Sequence, residues 1–473
     1  MGKSPEYRWS LDLSPNLYMM PQPKKVRIEP GMPMNFAKGA VIRLKGVKDQ
    51  RAAKFLKKGL EKLGVKVGKG TEITLIEDKT YYSANPEAYS LYDNKKGVAI
   101  KAKTPAGLFY GAGTLLQMIA RSGQDLLFPR VQVEDFPDLK LRGFSIDFRY
   151  AWLTEAQIMD ILDNAAAFKV NTIVWWLQDK FAWKKHPDLV HARALTAAQW
   201  KKLVAYAEER FIQMVPYVDL YGHGENYLDR PKYVSMSNGE MGYWDAAPSM
   251  GDDVQYCASD PRSEKMIKQL WDECLPVFNN TELVHAGMDE VGTEDRHLCK
   301  TCQGKVTAIG KKIGEAAPYP KARNKYIADR FNKFLPYFEK KKKRVLFWDD
   351  SAINIRTRLL GEGGWDSVPP SAIPILWYYD AAMDPVRNAL AQPYARKYQF
   401  VIGPNSGNLE NTANYLALSR NYPNVIGVIT TLWEQKVFKV GESWPGFGLA
   451  AALGWNRSTP AEFAKNAIKA RLG

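Results

Sequence analysis

The chain has 473 residues, of which 45% are hydrophobic and 25% are charged, and its formal net charge is +15. This is ordinary globular composition, and the length predicts two or three domains around a large buried core. No stretch approaches the ~18 apolar residues of a membrane span, and no nucleic-acid-binding motif accompanies the positive charge. The basic residues are scattered, and the densest run, 340–344, follows a predicted helix, where cations favour the C-terminus. A polyanionic substrate such as a sulfated glycan is compatible with this charge.

Residues 1–138 are predicted to form a small α+β domain. Four short segments alternate apolar and polar residues, which predicts β-strands: KKVRIE, AVIRLK, EITLIE and GVAIKA. Apolar residues at helical spacing predict a helix over 51–64, and a second helical stretch, 104–120, follows GVAIKA. The turn-rich segment EDFPDLK, at 134–140, closes this domain.

The rest of the chain, 139–473, alternates strands with helices. Eight strands are predicted, at 141–149, 170–177, 211–219, 282–289, 344–350, 373–380, 398–404 and 425–433. Helical stretches lie between most of them, for example at 154–168 and 261–278. Eight strands with crossover helices predict an α/β fold, namely a (β/α)8 TIM barrel preceded by the small α+β domain.

Residues at the C-terminal ends of the strands form the active site in this type of barrel. Here those ends carry carboxylates, basic side chains and tryptophans, more than stability alone would need: Arg149, Asp179, Asp219, His223, Asp289, Glu290, Trp348, Asp349, Trp377, Trp433 and Glu434. Flat aromatic faces suit the C–H face of a sugar, although composition alone does not assign that role. The pattern predicts an active site at this face of the barrel.

One predicted strand ends on two adjacent acids, Asp289 and Glu290, within VHAGMDEVG. An isolated pair of this kind most simply caps a following helix. Most glycosidases place two carboxylates about 5–5.5 Å or 6.5–9.5 Å apart across the sugar, and adjacent acids fit neither arrangement well. They do fit substrate-assisted hydrolysis, in which the 2-acetamido oxygen of the sugar is the nucleophile. One acid then protonates the leaving oxygen with a raised pKa, and its neighbour holds the acetamido N–H.

Six short segments of the predicted barrel carry a series of motifs. HAGMDE has the pattern His/Asn-x-Gly-x-Asp-Glu, LRGFSIDFR has Arg-Gly-x-x-x-Asp-x-x-Arg, and DLYGHG is close to Asp-x-Pro-Gly-His with Tyr221 in the proline position. LFWDD, ILWYYD and TLWEQ bear tryptophans at strand ends. In this order the segments resemble glycoside hydrolase family 20, the β-N-acetylhexosaminidases. The N-terminal part, through MPQPKKV and TPAGLFYGAGTLLQ, resembles the small domain that precedes the family's barrel.

The resemblance implies catalytic roles for four residues. Glu290 would be the general acid/base, and Asp289 would be the carboxylate that orients the acetamido group. Asp179 and His223 would form a hydrogen-bonded relay that tunes Glu290. A lone histidine is more often a satisfied core residue, and the position of His223 within the ordered motifs is what favours the functional interpretation.

The resemblance also implies a set of substrate-binding residues. Arg149 would bind the C3 and C4 hydroxyls of the sugar, and Glu434 would bind its O4/O6 side. Three tryptophans would wall the −1 pocket: Trp348, Trp377 and Trp433. The structural alternatives are an ion pair for Arg149 and ordinary core packing for the tryptophans.

The sequence departs from the family pattern on two strands. The second strand carries Val174, Trp175 and Trp176, where family members have His-Trp-His. The end of the seventh strand lacks the tyrosine that binds the acetamido carbonyl and offers only asparagines, Asn405 and Asn408. A tyrosine from the neighbouring strand, Tyr378 or Tyr379, is the candidate replacement, and Tyr378 is included among the predicted substrate-binding residues. These departures leave the sugar and its linkage open.

The four cysteines are Cys257, Cys274, Cys299 and Cys302. HLCKTC, at 297–302, has CxxC spacing with a histidine two residues upstream, so zinc binding is one interpretation if Cys257 or Cys274 supplies a further ligand. The spacing alone favours free thiols or a disulfide, and no metal site and no cofactor are predicted. The N-terminal residues lack a signal-peptide apolar region, which leaves both a cytoplasmic protein and a processed secreted or periplasmic one open.

The predicted function is a retaining exo-glycosidase that removes terminal β-linked N-acetylhexosamine through an oxazolinium intermediate. Two alternatives keep the fold. One is hydrolysis of a disaccharide-releasing or sulfated N-acetylhexosaminide substrate, and the other is a non-catalytic glycan-binding barrel. The expected partner is a carbohydrate rather than a nucleic acid or a membrane, and the sequence does not indicate an oligomeric state.

Overall fold

The computed structural model describes residues 19–94, 96–147, 152–228, 230–238, 255–289, 291, 298–350, 364, 366–433 and 440–472. These residues form a closed barrel of eight parallel strands surrounded by helices and preceded by an α+β domain. The predicted fold class is therefore confirmed. Of the helices within these ranges, none combines the length and apolarity that crossing a membrane requires.

The N-terminal domain is built on two sheets. Its elements are β1 Lys25–Ile28, β2 Met34–Asn35, β3 Ala40–Lys45, α1 Arg51–Lys62, β4 Thr71–Glu77, β5 Tyr89–Asn94, β6 Gly97–Ala102, α2 Pro105–Met118, β7 Ala120–Ser122, β8 Asp125–Phe128 and β9 Val131–Asp135. A mixed sheet has the order β1-β9-β5-β6-β4-β3, and a small sheet has the order β2-β8-β7. All four predicted strands and both predicted helices are confirmed, whereas β2, β5, β7, β8 and β9 were not predicted.

Eight strands close the barrel. In chain order the strands of this region are β10 Leu141–Asp147, β11 Thr172–Trp176, β12 Gln213–Tyr217, β13 Ser237–Asn238, β14 Gln255–Tyr256, β15 Leu283–His285, β16 Arg344–Trp348, β17 Ile373–Trp377, β18 Phe400–Gly403 and β19 Val425–Leu432. The barrel order is β10-β11-β12-β15-β16-β17-β18-β19, and β13 and β14 pair separately. Each barrel strand lies within a predicted segment, so all eight predictions are confirmed.

The barrel region also contains eleven described helices. They are α3 Glu155–Ala167, α4 Ala197–Glu208, α5 Glu225–Leu228, α6 Pro261–Cys274, α7 Lys300–Lys312, α8 Pro320–Asn332, α9 Leu335–Lys340, α10 Asp384–Ala395, α11 Leu409–Ser419, α12 Val440–Trp455 and α13 Ala461–Leu472. Capping side chains stabilise the first turns of several of these helices. Thr154 forms a capping box with Gln157 at the start of α3, which satisfies backbone N–H groups that have no partner within the helix. Asp260 accepts a hydrogen bond from the Arg262 N–H at the start of α6.

Side-chain alternation along the strands divides the core into two parts. Val174 and Trp176 point into the barrel, while Ile173 and Trp175 pack outward against the helices. The barrel interior is filled by a small apolar cluster: Leu141, Val174, Trp176, Val215, Tyr217, Leu283, Leu346, Trp348, Ile373, Ile375, Val401 and Ile429. Its aromatic members lie at the C-terminal ends of their strands. The interior is therefore a packed core with aromatic rings at one end.

The N-terminal domain shares its core with the barrel. Tyr110 of α2 packs edge-on against Trp455 of α12, with ring centroids 5.1 Å apart. Lys169, in the loop before β11, reaches across the interface and pairs with Asp135 of β9 at 2.9 Å. Both of these charged side chains are almost completely buried. The small domain is thus bonded to the barrel scaffold through a buried ion pair as well as apolar packing.

Candidate active site

Asp289 lies at the mouth of the barrel, just beyond β15. The chain leaves the strand at His285 and turns through Gly287 and Met288, which have φ values of +67° and +83°. This turn buries the Asp289 side chain, which is 7% exposed. One carboxylate oxygen lies 3.2 Å from His223 Nε2 and the other accepts a hydrogen bond of 3.4 Å from the Tyr217 hydroxyl. Both oxygens of Asp289 are therefore held in a fixed orientation.

The Asp289 carboxylate is kept in its charged form. Burial raises the pKa of this carboxyl, but the charge and hydrogen bond of His223 outweigh burial, so the pKa lies below its ordinary value. Burial also lowers the pKa of nearby His285, to about 3. The His285 ring is consequently neutral near pH 7, and its Nδ1 accepts a hydrogen bond from the Gly287 N–H at 3.1 Å. A fixed negative charge therefore lies beside a neutral imidazole.

His223 is positioned by backbone that few side chains adopt. Its φ is +43°, and its carbonyl accepts a 2.8 Å hydrogen bond from Gln178 Nε2. Gln178 has a φ of +41°. Left-handed backbone at non-glycine residues is strained and tends to cluster at functional sites. These contacts connect the ends of β11 and β12 to the carboxylate that follows β15.

Asp179 has a different partner from the one expected. Its carboxylate, buried at 5% exposure, is bonded to the ammonium group of Lys180. Within the described part of the chain, no hydrogen bond joins Asp179 to His223, whose ring contacts Asp289 instead. The expected Asp179–His223 relay is therefore not formed in this structure. Lys180 is the next residue in the chain, so its ammonium group can pair with Asp179 without any rearrangement of the barrel strands.

Stacked aromatic rings form the floor beside Asp289. Trp176 stacks on Tyr217 with ring centroids 4.5 Å apart and an interplanar angle of 6°. Trp348 is fully buried and donates its indole N–H to the Tyr217 hydroxyl at 3.2 Å. Trp433 packs edge-on over Trp176 and Trp348, at 5.7 Å and 5.5 Å. Two of the predicted tryptophans thus lie within this group, with Trp348 beneath Trp433.

The sixth barrel strand places its aromatic side chains on two faces. Trp377, at the end of β17, packs against the interior cluster and donates its indole N–H to Asp350 at 2.8 Å. Tyr378 packs against the outer core instead. Tyr379 returns to the face of Trp377, with ring centroids 5.0 Å apart, and its hydroxyl accepts a 2.5 Å hydrogen bond from Trp433. Of the two candidate tyrosines, the structure brings Tyr379 to the aromatic group, whereas the predicted binding residue Tyr378 points away from it.

The asparagines after the seventh strand serve local structure. The Asn405 side chain accepts a hydrogen bond from the Gly407 N–H at 2.7 Å. The Asn408 side chain caps α11 by accepting from the Asn411 N–H at 3.0 Å. These side-chain oxygens stabilise a turn and a helix start, so they are poor replacements for the tyrosine that the family places here.

Three predicted site residues, Arg149, Glu290 and Glu434, lie outside the described residues. Their roles stay predictions from the sequence.

Sequence reasoning missed the contributions of Trp176 and Tyr217, although both end barrel strands with inward-facing positions. Strand alternation was the signal that could have identified them.

The described residues also contain one group of potential metal ligands. It lies after β14 and at the start of α7, and its members are Cys257, Cys299 and Cys302.

The fold and the site define a class of protein. A closed parallel barrel gathers a buried carboxylate, a histidine and stacked tryptophans at the C-terminal ends of its strands. In TIM barrels that face holds the active site, and aromatic rings with a fixed carboxylate suit a sugar ligand. The arrangement is that of a carbohydrate-active barrel.

Comparison with known proteins identifies the family. The model of the glycosyl hydrolase family 20 catalytic domain matches residues 139–406, and the model of the family's domain 2 matches residues 16–136. The chain therefore belongs to glycosyl hydrolase family 20. This confirms the resemblance found in the sequence motifs.

Individual relatives agree with this assignment. A beta-hexosaminidase of Porphyromonas gingivalis is 28% identical over 318 residues, which are 62% of this chain but 38% of that protein. The aligned part thus spans well under two thirds of the relative's length. The crystal structure of Flavobacterium johnsoniae chitobiase superposes with a TM-score of 0.76 at 20% identity, covering 97% of this chain and 72% of that one. A Streptomyces plicatus beta-hexosaminidase in complex with GlcNAc superposes at 0.74 and 18% identity, covering 96% and 94%.

Proposed function

We propose that the chain is a retaining exo-β-N-acetylhexosaminidase. It removes terminal β-linked N-acetylglucosamine or N-acetylgalactosamine from glycans, with the acetamido group of the substrate as the nucleophile. The observation that carries the proposal is the Asp289 carboxylate, which is buried, charged and fixed by His223 and Tyr217 beside stacked aromatic rings. The relatives named beta-hexosaminidase and the GlcNAc complex of the Streptomyces protein support it.

The reaction needs two acids with different protonation states. The acetamido oxygen attacks C1 and forms an oxazolinium ion, while the Glu290 carboxyl gives its proton to the leaving glycosidic oxygen. Asp289 accepts a hydrogen bond from the acetamido N–H and balances the positive charge that develops on the ring. Glu290 then removes a proton from the water that attacks C1, which opens the oxazolinium ring and retains the configuration. The lowered pKa of Asp289 suits the charged role, and a nearby negative charge is one of the general causes that raise a carboxyl pKa, as the acid role proposed for Glu290 requires.

The Glu290→Gln variant tests the proposed function. Removal of a general acid is expected to lower kcat/KM for 4-methylumbelliferyl N-acetyl-β-glucosaminide by about 10²–10⁴-fold. An aryl glycoside with a much better leaving group, such as a dinitrophenyl one, should lose far less rate because its departure needs no proton. Glu282→Gln, at an exposed acid before β15, is the matched control and should retain full activity. Full activity in Glu290→Gln would falsify the assignment.

Substrate class is tested separately with the unaltered protein. A panel of aryl glycosides of N-acetylglucosamine, N-acetylgalactosamine, a 6-sulfated N-acetylglucosamine and an N-acetylhexosamine-containing disaccharide distinguishes exo-hydrolysis from the two alternative specificities. A thiazoline mimic of the oxazolinium ion should inhibit strongly. Tight binding of sugars without release of any aryl group would instead favour a non-catalytic glycan-binding barrel.

We infer that Tyr379 replaces the acetamido-binding tyrosine of the family. Tyr379 lies two residues beyond β17 against the Trp377 ring, and its hydroxyl is oriented by the Trp433 indole N–H, which donates to its oxygen. Tyr379→Phe should therefore raise KM and lower kcat/KM by about tenfold, the effect of one lost hydrogen bond. Steady-state kinetics on the aryl N-acetylglucosaminide measures both constants.

Tyr378→Phe is the matched control for this prediction. It makes the same chemical change one residue earlier, where the side chain packs against the outer core. Its kcat/KM is expected to stay within about twofold of the unaltered protein, since no substrate contact is removed. A larger effect from Tyr378→Phe than from Tyr379→Phe would show that Tyr379 is not the acetamido-binding residue.

Gly287 is required at the turn that carries Asp289. A Cβ atom at this position would lie 2.0 Å from Asp219 Oδ1, and Asp219 accepts the indole N–H of Trp176 at 2.5 Å. Gly287→Ala should therefore displace the Asp219 side chain or the turn that carries Asp289. This should lower kcat/KM by about 10²-fold, the typical effect of a ~1 Å misplacement. Kinetics at saturating and limiting substrate measures this change.

Gly314→Ala separates the steric clash from backbone strain. Gly314 has a φ of +70°, almost the same as the +67° of Gly287, but no atom lies within 4 Å of the added Cβ. Left-handed backbone should cost each variant about 1 kcal/mol of unfolding free energy, and the clash should add a further loss in Gly287→Ala. Only Gly287→Ala should lose activity, and equal activities in the two variants would contradict the steric explanation.

A further inference from the structure

Three of the four cysteines come together although they are distant in the chain. Cys257 follows β14, Cys299 immediately precedes α7, and Cys302 lies in the first turn of that helix. The Sγ atom of Cys257 is 3.5 Å from that of Cys299 and 3.8 Å from that of Cys302. All three sulfur atoms lie within 4.8 Å of one another. Cys274, in contrast, is buried on α6 outside this group.

The sulfur separations match a metal site better than a disulfide. Zinc binds thiolates at about 2.3 Å in a tetrahedron, which places the sulfurs about 3.8 Å apart. A disulfide would bring two of them to about 2.0 Å and leave the third without a role. We propose that Cys257, Cys299 and Cys302 bind a structural zinc ion. This assignment departs from the sequence-based expectation of no metal, because the spacing of HLCKTC does not show that Cys257 lies nearby.

The surroundings of the cluster favour thiolate ligands. Two of the sulfurs lie at the N-terminus of α7, where the helix dipole stabilises negative charge. The Tyr326 hydroxyl donates to Cys302 Sγ at 3.2 Å, and Ser259 lies 3.3 Å from the same sulfur. Lys305 donates to Ser259 at 2.8 Å and brings a positive charge close to the cluster. Hydrogen bonds of this kind orient metal ligands and balance their charge.

The proposed zinc would connect two segments of the barrel mouth. Cys257 precedes α6, and Cys299 lies ten residues after Asp289 in the chain. Bonds to one zinc ion would therefore hold the start of α7 against the residue that follows β14. Structural zinc contributes folding free energy, so its role here is to hold this part of the barrel. His297, the histidine of HLCKTC, lies outside the described residues, so the structure gives three of the four ligands that a tetrahedral zinc ion takes.

The experiment measures the zinc content of the 473-residue chain, purified without chelator and dialysed after zinc loading. Plasma mass spectrometry is expected to find about one zinc ion per chain. Cys257→Ser, Cys299→Ser and Cys302→Ser should each bind markedly less, whereas Cys274→Ser, the matched control, should keep the full amount. Absence of zinc in the unaltered chain, or equal loss in Cys274→Ser, would overturn the proposal.

Two further measurements on the unaltered chain avoid dependence on variants that fail to fold. Cobalt loading should produce sulfur-to-cobalt charge-transfer absorption, and a mercurial thiol reagent should release the zinc while lowering the Tm. An intact mass 2 Da below that of the reduced chain would reveal a disulfide and exclude the site. Zinc content is independent of glycoside hydrolysis, so failure here leaves the proposed activity untouched.

Discussion

Asp289→Asn is expected to lower kcat/KM for an aryl N-acetyl-β-glucosaminide by about 10²–10³-fold, the typical cost of removing one preorganised group that stabilises transition-state charge. Asparagine keeps the shape of the side chain but loses the negative charge that balances the developing oxazolinium ion. Because Tyr217 and His223 hold both carboxylate oxygens, the side chain has little freedom to compensate. Calorimetric titration with a thiazoline mimic should show a parallel loss of affinity.

The control for Asp289→Asn is the same substitution at Asp384, whose side chain is 98% exposed. That variant should keep full activity and the Tm of the unaltered chain. Unchanged affinity of Asp289→Asn for the thiazoline would contradict the role assigned to the carboxylate.

The pH dependence of Asp289 follows from its lowered pKa. A carboxyl whose folded-state pKa is depressed contributes stability above its unfolded pKa of about 4, and loses that contribution as the pH falls through the folded value. Asp289 therefore stays charged through mild acid, and the loss of activity that it causes should lie below about pH 4. Asp289→Asn should lack that part of the acid limb of kcat/KM. Activity that falls steeply between pH 6 and pH 5 would point to a different group.

The sequence predicted the barrel well because its strands carry strong local signals. Each barrel strand, such as TIVWW at 172–176, is a short apolar run bounded by helical stretches, and position along the chain then determines its place in a parallel barrel. The strands β5 and β9 were missed for the opposite reason. YSLYDN and VQVED carry polar residues on one face, which is half-buried in β5 and exposed in β9, and their antiparallel pairing depends on partners distant in the chain.

The site was predicted as a set of residues but not as a set of contacts. Strand ends correctly indicated that Asp289, His223 and Trp433 lie at the same mouth, because parallel strands finish on one face. Which partner His223 contacts depends on left-handed backbone at His223 and Gln178, and periodicity gives no information about such turns. Alternation, in contrast, could have distinguished Tyr379 from Tyr378, since Trp377 already marks the inward face of β17.

Lys169→Met is expected to lower the free energy of unfolding by about 3–5 kcal/mol, because it leaves the Asp135 carboxylate charged, buried and without its cationic partner. The ammonium group also lies 3.0 Å from the Tyr89 hydroxyl and 4.0 Å from the centre of the Trp455 ring. Urea unfolding followed by circular dichroism measures the change. Lys25→Met is the control. Lys25 pairs with Glu134, the residue before Asp135 in β9, but this pair is exposed, so its loss should cost no more than about 1 kcal/mol.

A double-mutant cycle distinguishes the ion pair from packing at the same interface. Asp135→Asn keeps the oxygen that accepts from the Trp455 indole N–H, replaces the oxygen that accepts from the Tyr89 hydroxyl with an NH2 group, and removes the charge that Lys169 neutralises. The combined variant should therefore lose less stability than the sum of the two single variants. Additive losses would mean that the Lys169 ammonium group and the Asp135 carboxylate contribute to stability independently of each other. A single cooperative transition in every variant is also expected, since the N-terminal domain and the barrel share one apolar core and cannot expose this interface without disrupting both.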